Sequence, residues 1–230
     1  MLGHSHAISG AFAWAALAPT LPPIWLHTTL SAHDVIVGTA LAAGAALIPD
    51  LDHHGGTIAN ALGPVTKVLT RFVERVSGGH RHATHSLLFA AAAGGGSWAG
   101  VHYLGRYFAV GVTFVLLALA GIALHLHPGG DGVRAWGPVV IAATLGTAMI
   151  DQWLPDEPVW LPWLVGFGCL VHLAGDFMTE RGVPLLWPIK MRFEIPLISR
   201  TGNRVEVWVV SPLMSVGTVA ALYVLTIAPR

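Results

Sequence analysis

Val35-Ile36-Val37-Gly38-Thr39-Ala40-Leu41-Ala42-Ala43-Gly44-Ala45-Ala46-Leu47-Ile48-Pro49-Asp50-Leu51-Asp52-His53-His54 is an apolar run that stops at two carboxylates and two imidazoles. Such a run belongs in a protein core or in a bilayer, and so abrupt a change marks the edge of an apolar medium. Composition selects the bilayer. Of 230 residues, 54 % are hydrophobic and 10 % are Asp, Glu, Lys or Arg, and the mean hydropathy is +0.65. Soluble chains carry about 25 % charged residues. Twelve basic and twelve acidic side chains cannot cover a soluble domain of this length. The expectation is an all-α polytopic membrane protein, one domain over 1–230. Zero net charge argues against direct nucleic-acid binding. The single cysteine, Cys169, excludes an intramolecular disulfide and reads as buried packing.

Similar apolar stretches recur at roughly 8–26, 35–50, 84–104, 107–125, 136–151, 159–178 and 211–228, which predicts about seven hydrophobic helices. Several fall short of the ~20 residues that cross a bilayer, so some are expected to be tilted or surrounded by protein. A cleavable signal peptide is not expected, because the first stretch has no basic start and is broken by Pro19, Pro22 and Pro23. With a cytoplasmic N-terminus, ten of the twelve basic residues fall in inside segments, from Lys67, Arg71, Arg75 and Arg81 to Arg200 and Arg204. Only Arg106 and Arg230 lie outside them, and the connector bearing Asp151, Asp156 and Glu157 is acidic. This bias orients the chain in the membrane, N-terminus in and C-terminus out.

Two inside segments have patterns of their own. In 63–77, Val65, Val68, Leu69, Phe72 and Val76 recur at helical spacing, beside a stripe of Lys67, Arg71 and Arg75, and Gly78-Gly79 ends the run. This predicts an amphipathic helix among anionic lipid head groups, or else one packed on the protein with a solvated basic face. In 190–209, Arg192-Phe193-Glu194-Ile195 and Arg204-Val205-Glu206-Val207-Trp208 alternate around Thr201-Gly202-Asn203. That predicts a small β-hairpin. Gly94-Gly95-Gly96 lacks the Lys-Ser/Thr of a phosphate loop and reads as close helix packing.

The ionisable groups gather in three places. Asp50 and Asp52 alternate, so in an extended segment both point one way, and His53 adds a nitrogen donor; zinc, manganese and iron accept this mix. Two carboxylates at a membrane edge are costly without a compensating cation or basic partner. His80-Arg81-His82-Ala83-Thr84-His85-Ser86 opens the third apolar stretch, with Thr84 as expected N-cap. His80 and His85 then meet only if the chain bends there. In Val171-His172-Leu173-Ala174-Gly175-Asp176, His172 and Asp176 share a helix face. His4 and His6 lie near the start. Under the expected orientation, His4, Asp50, Asp52, His53, His80, His85, His172 and Asp176 all reach the cytoplasmic boundary. His27, His33 and His102 fall on the far side, and His125 and His127 lack carboxylate neighbours.

These stretches resemble the YdjM-like family of inner-membrane metal-dependent hydrolases, also described as LexA-binding. The resemblance rests on Gly3-His4, Leu47-Ile48-Pro49-Asp50-Leu51-Asp52-His53 and Gly79-His80-Arg81 with Thr84-His85-Ser86-Leu87-Leu88. It continues through His172-Leu173-Ala174-Gly175-Asp176 to Thr179, then Gly182-Val183-Pro184-Leu185-Leu186-Trp187-Pro188, Arg192-Phe193 and Gly202-Asn203. It implies a membrane hydrolase using divalent metal held by His4, Asp50, Asp52, His53, His80, His85, His172 and Asp176. His6, His54 and His82 are extra histidines beyond that pattern. The His/Asp mix is also similar to the all-helical zinc phospholipase C and single-strand nuclease enzymes, by site composition alone.

The expected activity is hydrolysis of a phosphoester in a lipid or lipid-linked substrate at the cytoplasmic leaflet. Two or three divalent ions, zinc first and manganese or iron as alternatives, would activate water and stabilise developing charge. Asp50 and Asp176 are the expected bridging carboxylates, Asp52 a ligand or general base, and Arg81 a phosphate clamp. Gly182–Pro188 and the hairpin would cover the pocket, with Trp187 at interfacial depth. The alternatives are a non-catalytic adaptor that uses a structural metal to bind a cytoplasmic protein, and a divalent-metal transporter. The transporter reading is weakened by ligands gathered at one face.

Overall fold

The computed structural model describes residues 1–21, 29–60, 63–126, 133–154, 158–197 and 199–226. Pro22, Pro23, His27, His127, Asp156, Glu157 and Arg230 lie outside the described residues. Among those described, seven α-helices form: α1 (Gly3–Leu17), α2 (Ala32–Ala45), α3 (Pro64–Ser77), α4 (Leu87–Ala123), α5 (Val133–Asp151), α6 (Leu161–Phe177) and α7 (Ser211–Thr226). Short 3-10 turns at Pro49–Asp52, Thr57–Asn60 and Ala83–His85 join them, and one π turn, Glu206–Val210, leads into α7.

Local chemistry sets the helix starts. Ser31 caps α2 through a reciprocal pair with Asp34: Ser31 Oγ accepts from the Asp34 N–H at 3.1 Å and Asp34 Oδ2 accepts from the Ser31 N–H at 2.9 Å. α4 is capped by Ser86, whose Oγ accepts from the Phe89 N–H at 3.1 Å. Thr84, the expected cap, lies instead in the preceding 3-10 turn, because its hydroxyl donates to Asp52.

α4 turns back on itself. Gly105 has φ 52° and ψ −133°, outside any helix, and a Cβ at Gly100 would lie 2.3 Å from the Phe108 ring. In a straight helix positions eight apart are ~12 Å apart along the axis. The two arms, 87–104 and 106–123, therefore fold together, and both outer ends of α4 arrive at the same end of the bundle. Without a Cβ, glycine takes this conformation at little cost.

The core lies between α1, α2, α6 and the second arm of α4, where Trp14, Leu41, Leu116, Leu161 and Leu164 are buried. α2 crosses that arm so closely that a Cβ on Gly44 would stand 2.0 Å from the Leu116 carbonyl oxygen.

Two expectations are corrected here. Among the described residues three segments are long and apolar enough to cross a membrane, Ala32–Asp52, Leu87–Ala123 and Glu206–Thr226, which does not support a count of about seven. The 15 residues of α1 and 17 of α6 reach only about 22–26 Å against a ~30 Å hydrocarbon core. The second correction concerns 190–209, which forms no β-hairpin among the described residues. Val183 and Phe193 make one isolated antiparallel bridge, and the chain is helical from Arg204. Asn203 Oδ1 accepts from the Glu206 N–H at 2.7 Å, so Thr201-Gly202-Asn203 starts a helix rather than reversing a strand. Glu206 is buried with both carboxylate oxygens occupied, Oε1 by the Leu2 N–H at 2.6 Å and Oε2 by the Gly202 N–H at 2.8 Å.

Candidate metal centre

One end of the bundle gathers short-range polar chemistry from four segments. Pro49 opens a 3-10 turn after α2 that carries Asp50 and Asp52, and their carboxylates come within reach of His80 and His85. Arg81, at φ 59°, takes a left-handed conformation rare for a residue with a side chain. That bend, with the 3-10 turn of Ala83–His85, brings the His80 and His85 rings to 5.3 Å. The last turns of α6 supply His172 and Asp176, and α1 supplies His6, all buried.

Four donor atoms converge. His85 Nε2 lies 3.1 Å from His172 Nε2. Asp50 Oδ1 is 3.6 Å from His85 Nε2 and 3.7 Å from His172 Nε2, and Asp176 Oδ2 repeats those two distances. A tetrahedron with metal–ligand bonds of 2.0–2.2 Å has edges of about 3.3–3.6 Å. The four oxygen–nitrogen spacings lie close to that figure, whereas the two imidazole nitrogens stand at hydrogen-bond distance. His172 Nδ1 must donate to the Ala46 carbonyl oxygen at 2.7 Å, so in the neutral ring Nε2 is left as an acceptor aimed at His85. Asp176 Oδ2 is buried without a hydrogen-bond partner. An orphaned buried carboxylate oxygen beside two imidazole nitrogens is an environment a divalent cation can satisfy, displacing the proton the imidazoles share.

Around these four stand supporting groups. Asp52 is fully buried and saturated. It pairs with His80 Nδ1 at 2.8 Å, accepts from the Arg81 N–H at 3.1 Å and from the Thr84 hydroxyl, and lies 3.5 Å from His85 Nδ1. Such a carboxylate behind a ligating imidazole fixes the ring's orientation and raises its basicity. Burial disfavours charging His85, but hydrogen bonds and charge from Asp50 and Asp52 outweigh it and raise the pKa to about 9. Arg81 Nη2 donates to Asp176 Oδ1 at 2.8 Å. His6 stacks on His172 at 3.8 Å with Nε2 3.3 Å from Asp176 Oδ1, yet neither of its ring nitrogens makes a hydrogen bond.

Two compact donor groups result, Asp50–Asp52–His80–His85 and His6–His172–Asp176, either of which could hold a metal ion. His4 and His53 are not among them. His4 faces His125, ring to ring at 6.3 Å. His53 stacks on His80 at 4.4 Å, and burial together with that neighbour lowers its pKa. His54 pairs with Glu74 at 2.6 Å, and His82 is exposed.

A cavity of about 530 Å³ opens onto the cluster, lined by Asp50, His53, His80, Arg81, Arg181 and Arg200 among others. Arg181 and Arg200 entered the sequence reading only as inside-segment cations, not as site residues. For His6 a signal existed: His6, Gly10 and Trp14 recur at i, i+4 and i+8 on the buried face of α1, and at 100° per residue His4 points elsewhere.

An all-helical chain with bilayer-length apolar segments and a carboxylate–histidine cluster at one end of its bundle is a membrane protein with a metal-competent centre. It belongs to the family of YdjM inner membrane proteins, which it matches over residues 1–140 and 136–228. Among its relatives are the inner membrane protein YdjM of Escherichia coli (strain K12) and that of Shigella flexneri. Each is 28 % identical over 161 residues, covering 70 % of this chain and 54 % of the relative. The chain thus spans about half the length of the curated relatives it matches. No solved structure matches it.

Proposed function

We propose that this protein is a metal-dependent hydrolase of the inner membrane that cleaves a phosphoester in a lipid or lipid-linked substrate at the cytoplasmic leaflet. The observation that carries this reading is the approach of Asp50 Oδ1 and Asp176 Oδ2, each within 3.7 Å of both His85 Nε2 and His172 Nε2. A divalent cation held by these residues, zinc being best suited to the donors, would supply a Lewis acid and would activate water as a nucleophile. His6, whose ring nitrogens make no hydrogen bond, flanks the four donors as a further nitrogen donor.

The residues around the donors have separable tasks. The Ala46 carbonyl and Asp52 hold His172 and His85 in ligating orientation. Asp52 has no free valence for a reacting atom, so it acts through His80. That imidazole is 28 % exposed, hydrogen-bonded to Asp52 and part of the cavity wall, which suits proton transfer to or from an attacking water or leaving oxygen. Arg81 holds the Asp176 carboxylate, and Arg181 and Arg200 add positive charge to the wall, favouring an anionic ester. An accessible face beside the donors is what a catalytic centre needs and a structural one lacks.

The test is elemental analysis of purified protein, with headgroup or phosphate release from a panel of phospholipids. The expected result is bound zinc that His172→Ala removes and His4→Ala leaves in place. His80→Ala should keep the metal and lower turnover by roughly 10²–10⁴-fold. Metal-free wild-type protein, or release indifferent to His80→Ala, refutes the reading.

A further inference from the structure

α3 is inverted relative to a helix on a water-soluble protein, where the apolar stripe meets the core and the charges meet solvent. The residues it turns inward are Thr66, Thr70 and Ser77, all buried. Thr66 Oγ1 donates to the Ala59 carbonyl oxygen at 3.0 Å, tying the helix to the chain after the metal site. The apolar residues look outward: Val65, Val68, Leu69, Phe72 and Val76 are 69, 66, 42, 63 and 71 % exposed. At 100° per residue, Lys67, Arg71 and Arg75 fall on the third face, flanking that stripe on the side away from the protein. All three cations are exposed.

Water against this helix would leave a contiguous apolar patch unburied. Hydrocarbon would strand three cations. The head-group layer of a bilayer meets both demands, apolar side chains entering the upper acyl region while cations meet phosphates. The helix also has a fixed relation to the metal pocket. Glu74 pairs with His54 at 2.6 Å, and Gly56 and Ile58, in the segment leading to α3, line the cavity.

We propose that α3 lies in the plane of an anionic bilayer surface, its Val65–Val76 stripe among the acyl chains and Lys67, Arg71 and Arg75 on the phosphates. The mouth of the pocket is thereby held at head-group depth. The inference does not depend on the hydrolase reading.

The test uses the full chain reconstituted in vesicles of phosphatidylcholine, with and without phosphatidylglycerol. Spin labels are placed at Val68→Cys, Phe72→Cys and Lys67→Cys in a Cys169→Ala background. Labels at 68 and 72 should collide with oxygen in preference to a water-soluble nickel chelate, and the label at 67 should show the reverse. In the unsubstituted chain, amide exchange across 65–77 should slow by roughly tenfold when phosphatidylglycerol is added, a cautious figure for three cations at an anionic surface. Labels at 68 and 72 as open to nickel as the one at 67, or exchange indifferent to the anionic lipid, overturn the proposal. So does spin–spin broadening at 72 between copies, which would put another protein on the stripe.

Discussion

His85 carries the sharpest consequence at the residue scale. Its pKa, raised from 6.5 to about 9 by Asp50 and Asp52 against the pull of burial, makes it a cation at neutral pH in the metal-free protein. A raised imidazole pKa stabilises the fold fully below pH 6.5, and that contribution is lost as pH climbs through about 9. The same nitrogen must be free to bind metal, so proton and metal compete. Apparent zinc affinity should therefore rise with pH up to about 9, by roughly tenfold per unit if one proton is displaced. Calorimetric titration in buffers of different ionisation enthalpy reads both the slope and the proton count. A flat profile would remove His85 from the ligand set. Asp50, Asp52, His80, His85, His172 and Asp176 were all legible as candidates, and the fold gathers them into groups that could hold a metal ion, because ionisable groups at the end of apolar runs need a reason to be there. The choice between His4 and His6 was not settled by that signal, since both lie near the same boundary and only the helix face separates them.

At the scale of elements, capping and turn residues decided more than periodicity did. The alternation in Arg204–Trp208 read as a strand because charged and apolar residues take turns there. Glu206, however, is buried and bound to the Leu2 and Gly202 amides, so its position in the pattern reflects a distant contact rather than a solvent-facing strand side. Asn203→Ala should cost about 1 kcal/mol by removing the bond to the Glu206 N–H. Reversible denaturation in detergent would show it as a lower midpoint with an unchanged slope. No loss of stability would mean that Asn203 is not the cap. The amphipathic pattern of 63–77 was legible as a helix, and Pro64–Ser77 forms one, bounded by Gly63 at φ 62° and Gly78 at φ 84°. Which face it turns outward depended on tertiary contacts, with Thr66 bonded to the Ala59 carbonyl and Thr70 and Ser77 buried beside it. The break between the two arms of α4 falls at Gly105, between the two apolar stretches read at 84–104 and 107–125.

For the whole molecule, the centre joins the ends of α1, α2, α4 and α6, so a bound ion would cross-link segments far apart in sequence. A ligand that binds only the folded state stabilises it by about 2.7 kcal/mol at a hundredfold excess over its Kd. Chelation should therefore lower the melting temperature of the purified protein, and re-addition of zinc should restore it. An unchanged melting curve after chelation would argue against a resident ion. Membrane character, helical class and most of the metal-competent residues could be read from composition and short spacings, because solvent partition and helix geometry act within a few residues. The number of bilayer-length segments, the replacement of the hairpin by a capped helix, the arrival of His6 beside His172 and the retreat of Asp52 behind His85 all depended on the folded chain. Each turns on contacts such as 2 with 206, 6 with 176 or 52 with 84, and steric and hydrogen-bonding demands between segments so far apart leave no local imprint.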